Sequence, residues 1–211
     1  MFFNNEEKKK QEKINTLLNV KDNEELFTSL TTLQNEISVG FNTKVVAITG
    51  IKGEELTAAF AKGFGEAYAL NGSKTLVVDA NLYEPHLTKL LNTSGEDEGD
   101  VEIKDKDQQY KIISISDKLS ALSLTKQIYP SELFKSGIIQ NAIKEHKDEY
   151  EHFIIIVPEI KNHKEIFLLA DIIECIVLLT FKDITRKKDI FDAIQFLNVN
   201  KLPLAKTVLL K

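Results

Sequence analysis

The chain has 211 residues, 43% hydrophobic and 28% charged, with a formal net charge of −5. That length suits one domain with a substantial core, and the acidic balance argues against a broad nucleic-acid-binding face. No apolar run approaches the ~20 residues of a membrane span, and the charges after Met1 lead to no apolar leader core, so the expected setting is cytoplasmic. The single cysteine, Cys175, lies in an apolar run. It reads as a buried strand residue with no disulfide partner in the chain, as in a reducing compartment.

In chain order, residues 1–20 are polar and mixed in charge and read as a tail or frayed helix. Residues 21–211 read as one domain. Leu26, Phe27, Leu30, Leu33 and Ile37 have helical spacing over Glu24–Ile37. Val45–Thr49 is a buried strand, and Leu56–Leu70 a helix closed by Asn71-Gly72. Thr75–Val78 is a strand ending at Asp79, and Pro85 to Leu91 a short helix. Residues 92–109 form an acidic, glycine-bearing exposed loop that lacks calcium-loop spacing. Short strands follow at Ile112–Ile115 and Leu119–Leu124, then a helix from Pro130 to about Lys147. The remaining elements are a strand at Phe153–Val157, a helix at Lys161–Leu169, a strand at Glu174–Thr180, a helix at Thr185–Asn198 and a strand at Thr207–Leu210. Alternating strands and helices imply a three-layer α/β/α fold with a mostly parallel sheet. Ligands of such sheets bind at the strand C-terminal ends, where Gly50, Asp79 and Pro158 fall.

One segment carries chemistry. From Lys44 to Thr57 the order is apolar strand, loop and helix start, the context of a phosphate-binding loop. In the pattern of Gly, four residues, Gly, Lys and Ser or Thr, Gly50 and Thr57 are in register. Glu55 stands at the second glycine and Leu56 at the lysine. Leu56 has no charge for a phosphate, and Glu54 and Glu55 put two carboxylates where a triphosphate would sit. Like charges at ~4 Å repel by roughly 1 kcal/mol in water. The loop therefore reads as an ordinary capped strand-to-helix turn. The alternative is a surviving anion site on Gly50, Lys52, Gly53 and Thr57.

Several segments in order resemble the cytoplasmic kinase module of the bacterial tyrosine kinases of capsule and exopolysaccharide synthesis, within the MinD/ParA-like P-loop ATPases. Residues 49–57 are similar to the family's Walker A loop. Thr75 to Pro85 resembles its second acidic motif, Asp-Ala-Asp-Leu-Arg-x-Pro. Tyr129 to Phe134 resembles its Asn-Pro-Ser-Glu-Leu-Leu helix start, and Glu151 to Pro158 its Walker B strand. Ala170-Asp171 and Thr185 continue the pattern. The resemblance spans roughly residues 24–211 and implies a P-loop NTPase-like fold.

The departures fall on the chemistry that the resemblance implies. The phosphate lysine is Leu56. Of two aspartates that support magnesium and the tyrosine hydroxyl, Asp79 remains and Asn81 replaces the other. The motif's arginine is Tyr83, and the Walker B aspartate is Ile156. The ring-assembly Glu-x-x-Arg reads Glu25 to Thr28, and no tyrosine cluster precedes Lys211. Phosphoryl transfer depends on positioning and charge neutralisation, and losing one electrostatic contributor commonly costs about 10²–10³ in rate.

The first reading is thus a kinase-like regulator or scaffold in polysaccharide assembly with no cofactor. Its partners would be an intact kinase paralogue or the cytoplasmic tail of a membrane chain-length regulator, in a homo- or hetero-oligomer, with no nucleic acid. Such a partner would recruit it to the membrane. The second is an atypical ATP-binding autokinase or ATPase, with Lys52 and Thr57 on the nucleotide, Thr57 and Asp79 on magnesium, and Asp79 catalytic. A third is a MinD/ParA-type binding module that positions cargo or meets a membrane, which the absence of a basic amphipathic C-terminal helix and, for DNA, the acidic charge disfavour. Asp79 as a turn cap, Pro158 as a strand end and His86 as a structural residue are the bland alternatives.

Overall fold

A computed structural model describes residues 19–81, 83, 85–87, 90–91, 110–124, 132, 135–160 and 165–210. The elements are α1 (Glu24–Ser38), β1 (Val45–Gly50), α2 (Glu54–Leu70), β2 (Thr75–Asp79), β3 (Tyr110–Ser116), β4 (Leu119–Leu124), α3 (Ile138–His146), β5 (His152–Ile156), a 3-10 turn (Glu165–Leu169), β6 (Cys175–Phe181), α4 (Lys187–Val199) and β7 (Leu204–Leu210).

The strands form one seven-stranded sheet in the order β3-β4-β2-β5-β1-β6-β7. All pairings are parallel except the β3–β4 hairpin. Strands β1, β2 and β6 are buried along their whole length, so they read as unbroken apolar runs rather than alternating ones.

Alternation reappears once the two faces are separated. Val46, Ile48, Val77, Ile154, Ile156, Val177 and Leu179 join the core beneath α1 and α2. Val45, Ala47, Val78, Phe153, Ile155 and Ile176 join the core shared with α3, the 3-10 turn and α4. Val20 is also buried in the first core.

Helix α2 packs tightest. A Cβ on Gly65 would lie 2.8 Å from Val77 Cγ2, so the missing side chain lets the helix close onto β2. Helix α1 is held to α2 by buried Gln34, whose Nε2 donates to the Phe64 carbonyl at 3.0 Å. Its start is capped by Asn23, whose side chain accepts from the Leu26 amide at 3.0 Å.

Several expected bounds move, and the strand expected at Thr207–Leu210 begins at Leu204. The helix expected from Leu56 starts at Glu54. The helix expected to run unbroken from Pro130 to Lys147 is interrupted at Gly137, whose φ of 71° ends one helical piece, and α3 starts at Ile138. Pro130 and Ser131 lie outside the described residues. The helix expected at Lys161–Leu169 is a 3-10 turn over Glu165–Leu169, and residues 161–164 are outside the described set. The tail over residues 1–18 and the acidic loop over 92–109 also fall outside it. No described helix is long and apolar enough to cross a membrane.

Candidate functional site

The candidate site lies at the C-terminal ends of β1, β2, β5 and β6, where the loop between β1 and α2 emerges. Its first residue, Ile51, is fixed on three sides. The Ile51 amide donates to the Leu179 carbonyl at 3.0 Å, extending the β1–β6 ladder past Gly50. The Ile51 side chain is buried against Leu178 and Ala193. Thr185 Oγ1 donates to the Ile51 carbonyl at 3.0 Å and accepts from the Phe181 amide at 2.9 Å. One hydroxyl therefore ties the loop to the turn between β6 and α4.

The chain next takes two consecutive left-handed residues, Lys52 (φ 65°) and Gly53 (φ 68°). Gly53 is the N-cap of α2 and makes no side-chain cap bond. The expected capped turn is thus corrected: the helix has acids in its first turn, Glu54 and Glu55, but no capping side chain. Left-handed geometry is free for Gly53 and strained for Lys52. A Cβ on Gly53 would come within 2.9 Å of the Phe181 ring. The ring lies directly against the loop backbone.

Gly50 and Thr57 are brought together. A Cβ on Gly50 would stand 2.2 Å from Thr57 Oγ1 and 2.9 Å from the Lys52 carbonyl. Thr57 is buried, and its hydroxyl donates to the Gly53 carbonyl at 3.1 Å. Leu56 packs against the core beneath α1 and α2. Lys52 is exposed.

Asp79 is 7% exposed at the end of β2. Its Oδ1 accepts from the Asn81 amide and its Oδ2 from the Leu87 amide, each at 3.0 Å. Both oxygens therefore clip the turn after β2. Burial pushes the carboxyl up to about 6, against the lowering effect of the Leu87, Asn81 and His86 amides. Asp79 is in register with Ile156 of β5, which in turn is in register with Ile48 of β1. Ile156 is 2% exposed, so the residue beside Asp79 is a buried hydrocarbon. Tyr83, at the position that the resemblance gives to arginine, is 42% exposed. Pro158 is placed by its carbonyl, which accepts from Thr49 Oγ1 at 3.0 Å.

Gly50, Lys52, Gly53 and Thr57 thus meet where β1 passes into α2, and Asp79 stands across β5 from them. The reading of the sequence missed Phe181 and the lacing by Thr185. Magnesium and a triphosphate require hard oxygen ligands and compensating positive charge. Leu56 and Ile156 supply neither, and the carboxylate of Asp79 is engaged by backbone amides and shifted toward its neutral form. Among the described residues, Leu56, Ile156 and Asp79 thus do not supply the ligands of a magnesium nucleotide, and the loop's remaining cation and hydroxyl are Lys52 and Thr57. Among the described residues, no group of three or more His, Cys, Asp or Glu side chains is arranged to hold a metal ion.

The mostly parallel sheet, covered on both faces and carrying a strand–loop–helix at its C-terminal edge, is a P-loop NTPase-like fold. Solved structures share it. The crystal structure of the chimerical protein CapA2B2 has a TM-score of 0.71 at 19% identity, covering 85% of this chain and 82% of that one. The VpsO kinase domain has a TM-score of 0.69 at 17% identity, covering 87% of this chain and 93% of that one. The MinD cell division protein of Aquifex aeolicus has a TM-score of 0.55 at 16% identity, covering 79% of this chain and 68% of that one. At these identities the likeness is one of fold. No protein-family model matches the chain, and no curated protein matches it in sequence.

Proposed function

We propose that this chain is a kinase-like protein without phosphoryl-transfer activity that acts as a regulator or scaffold in capsule or exopolysaccharide assembly. The observation that carries the reading is Asp79. It is the one acid left at the positions the resemblance assigns to metal and catalysis, and both its oxygens hold the Asn81 and Leu87 amides. Leu56 turned to the core and Ile156 beside Asp79 support the same reading. Without turnover, the molecule acts through its surface, on an intact kinase paralogue or the cytoplasmic tail of a membrane chain-length regulator. The purified protein incubated with labelled ATP and magnesium is expected to incorporate no label into itself or a co-purified partner. Labelling that Asp79→Ala abolishes would overturn the proposal.

One observation favours a second reading, an atypical ATP-binding autokinase or ATPase. Lys52 holds a left-handed conformation that costs about 1–2 kcal/mol for a residue with a side chain. Strain of this kind concentrates at functional loops. With Gly53 it leaves the start of α2 without a side-chain cap, the form in which a helix end receives an anion. In this reading Lys52 and Thr57 hold the nucleotide.

A further inference from the structure

The turn from β6 into α4 concentrates positive charge on a chain of formal charge −5. Lys182, Arg186, Lys187 and Lys188 are all exposed. Arg186 is held by the buried carboxylate of Asp189, with Nε to Oδ2 at 2.9 Å. Among the described residues Lys187 and Lys188 have no ion-pair partner. Cations in the first turn oppose the helix dipole, so these two lysines do not serve the stability of α4.

The exposed side of the helix continues the pattern. Lys187, Lys188, Phe191, Gln195, Asn198 and Val199 are exposed, and Lys187 or Lys188, Phe191, Gln195, and Asn198 or Val199 are three or four residues apart. The stripe's one carboxylate is Asp192, half-buried, four residues after Lys188 and three before Gln195. Phe191 is 67% exposed and Val199 72%, and Ile184, just before the helix, is 43% exposed. The stripe is about 18 Å long at 1.5 Å per residue. Asp183 is exposed in the preceding turn.

We infer that this face of α4 is a contact surface for an anionic phospholipid bilayer. Lysines flanking an aromatic side chain match a layer of anionic headgroups above hydrocarbon. The opposite side of α4 is anchored in the cores, so the exposed stripe is the convex face of a packed helix. A convex face lies flat on a planar interface, whereas peptide recognition takes a groove or a sheet edge. Nucleic acid would neutralise the lysines but leave Phe191 and Val199 without an apolar partner. The inference is independent of the loss of phosphoryl transfer, because a catalytically active protein would carry the same face.

The test is flotation of the full chain with phosphatidylcholine vesicles, with and without phosphatidylglycerol. Binding is expected only with phosphatidylglycerol, and it weakens as salt rises. Each basic residue at such a surface is worth about fivefold in partitioning. Lys187→Ala with Lys188→Ala is therefore expected to lower it by at least about tenfold. Phe191→Ser is expected to weaken it further, and circular dichroism of each variant should match the parent. Failure to bind phosphatidylglycerol vesicles, or binding unchanged in both variants, would overturn the inference. Retention by duplex DNA or an acidic peptide without vesicle binding would assign the face to another partner and overturn it equally.

Discussion

Gly50→Ala is expected to destabilise the protein by about 3 kcal/mol, at the upper end of overpacking costs. The new methyl would meet Thr57 Oγ1 at 2.2 Å, the Lys52 carbonyl at 2.9 Å and the Phe181 ring at 3.1 Å. Thr57 is buried and stiff at χ1, and the carbonyl is backbone, so neither yields cheaply. The clash with the hydroxyl is separable. In a Thr57→Ala background the methyl no longer meets an oxygen there, and the cost of Gly50→Ala should fall by at least about 1 kcal/mol in a double-mutant cycle. Urea denaturation of the four proteins measures this. Additive costs would mean that Gly50 and Thr57 are not in contact, and the described loop geometry would be wrong.

The second large effect is a pH dependence centred on Asp79. Its carboxyl is raised to about 6 in the folded protein from an ordinary 3.8. Below about pH 4 it is protonated both folded and unfolded. Between about pH 4 and 6 the folded chain keeps a proton that the unfolded chain has released. The native state then binds more protons, so stability falls as pH rises, by about 1.4 kcal/mol per unit and about 3 kcal/mol over the window. Above about pH 6 both states are ionised and the loss is complete. Asp79→Asn removes this slope. It also turns an amide N–H₂ toward a backbone N–H that the carboxylate accepted, costing about 1–2 kcal/mol. The parent should therefore be the more stable protein near pH 4 and the less stable near pH 7. Parallel stability curves would show that burial does not shift Asp79. A parent that gains on the variant as pH rises would show a carboxylate held ionised, as a metal site needs.

Much of the fold was legible because a sheet covered on both faces leaves a strong trace. Val45–Gly50, His152–Ile156 and Cys175–Phe181 are nearly unbroken hydrocarbon, separated by segments of helical period. The break at Gly137 was not legible. Ile138, Ile139, Ala142 and Ile143 continue the helical pattern of the preceding residues, and a single glycine in such a pattern does not declare its φ.

The candidate site divides in the same way. Gly50 and Thr57 could be read from local spacing, and Asp79 followed by Asn81 carries the short-range signal of an aspartate bonding its own backbone two residues on. The bond to the Leu87 amide, six residues further along, has no such signal. Thr185 binds Ile51 across 134 residues, and Phe181 reaches Gly53 only because β6 lies beside β1. These contacts belong to the tertiary fold. They make the loop a structural joint, which Leu56 and Ile156 alone did not reveal.

Leu56 and Ile156 stand where the resemblance would place a lysine and an aspartate, and the proposed loss of phosphoryl transfer follows from them. The most direct test is calorimetric titration of the protein with ATP and ADP, each with and without magnesium. No heat of binding at millimolar nucleotide is the expected result, since Leu56 and Ile156 supply no charge and Asp79 is held by the Asn81 and Leu87 amides. Micromolar binding that requires magnesium would contradict it, and would return Lys52 and Thr57 to the role of nucleotide ligands.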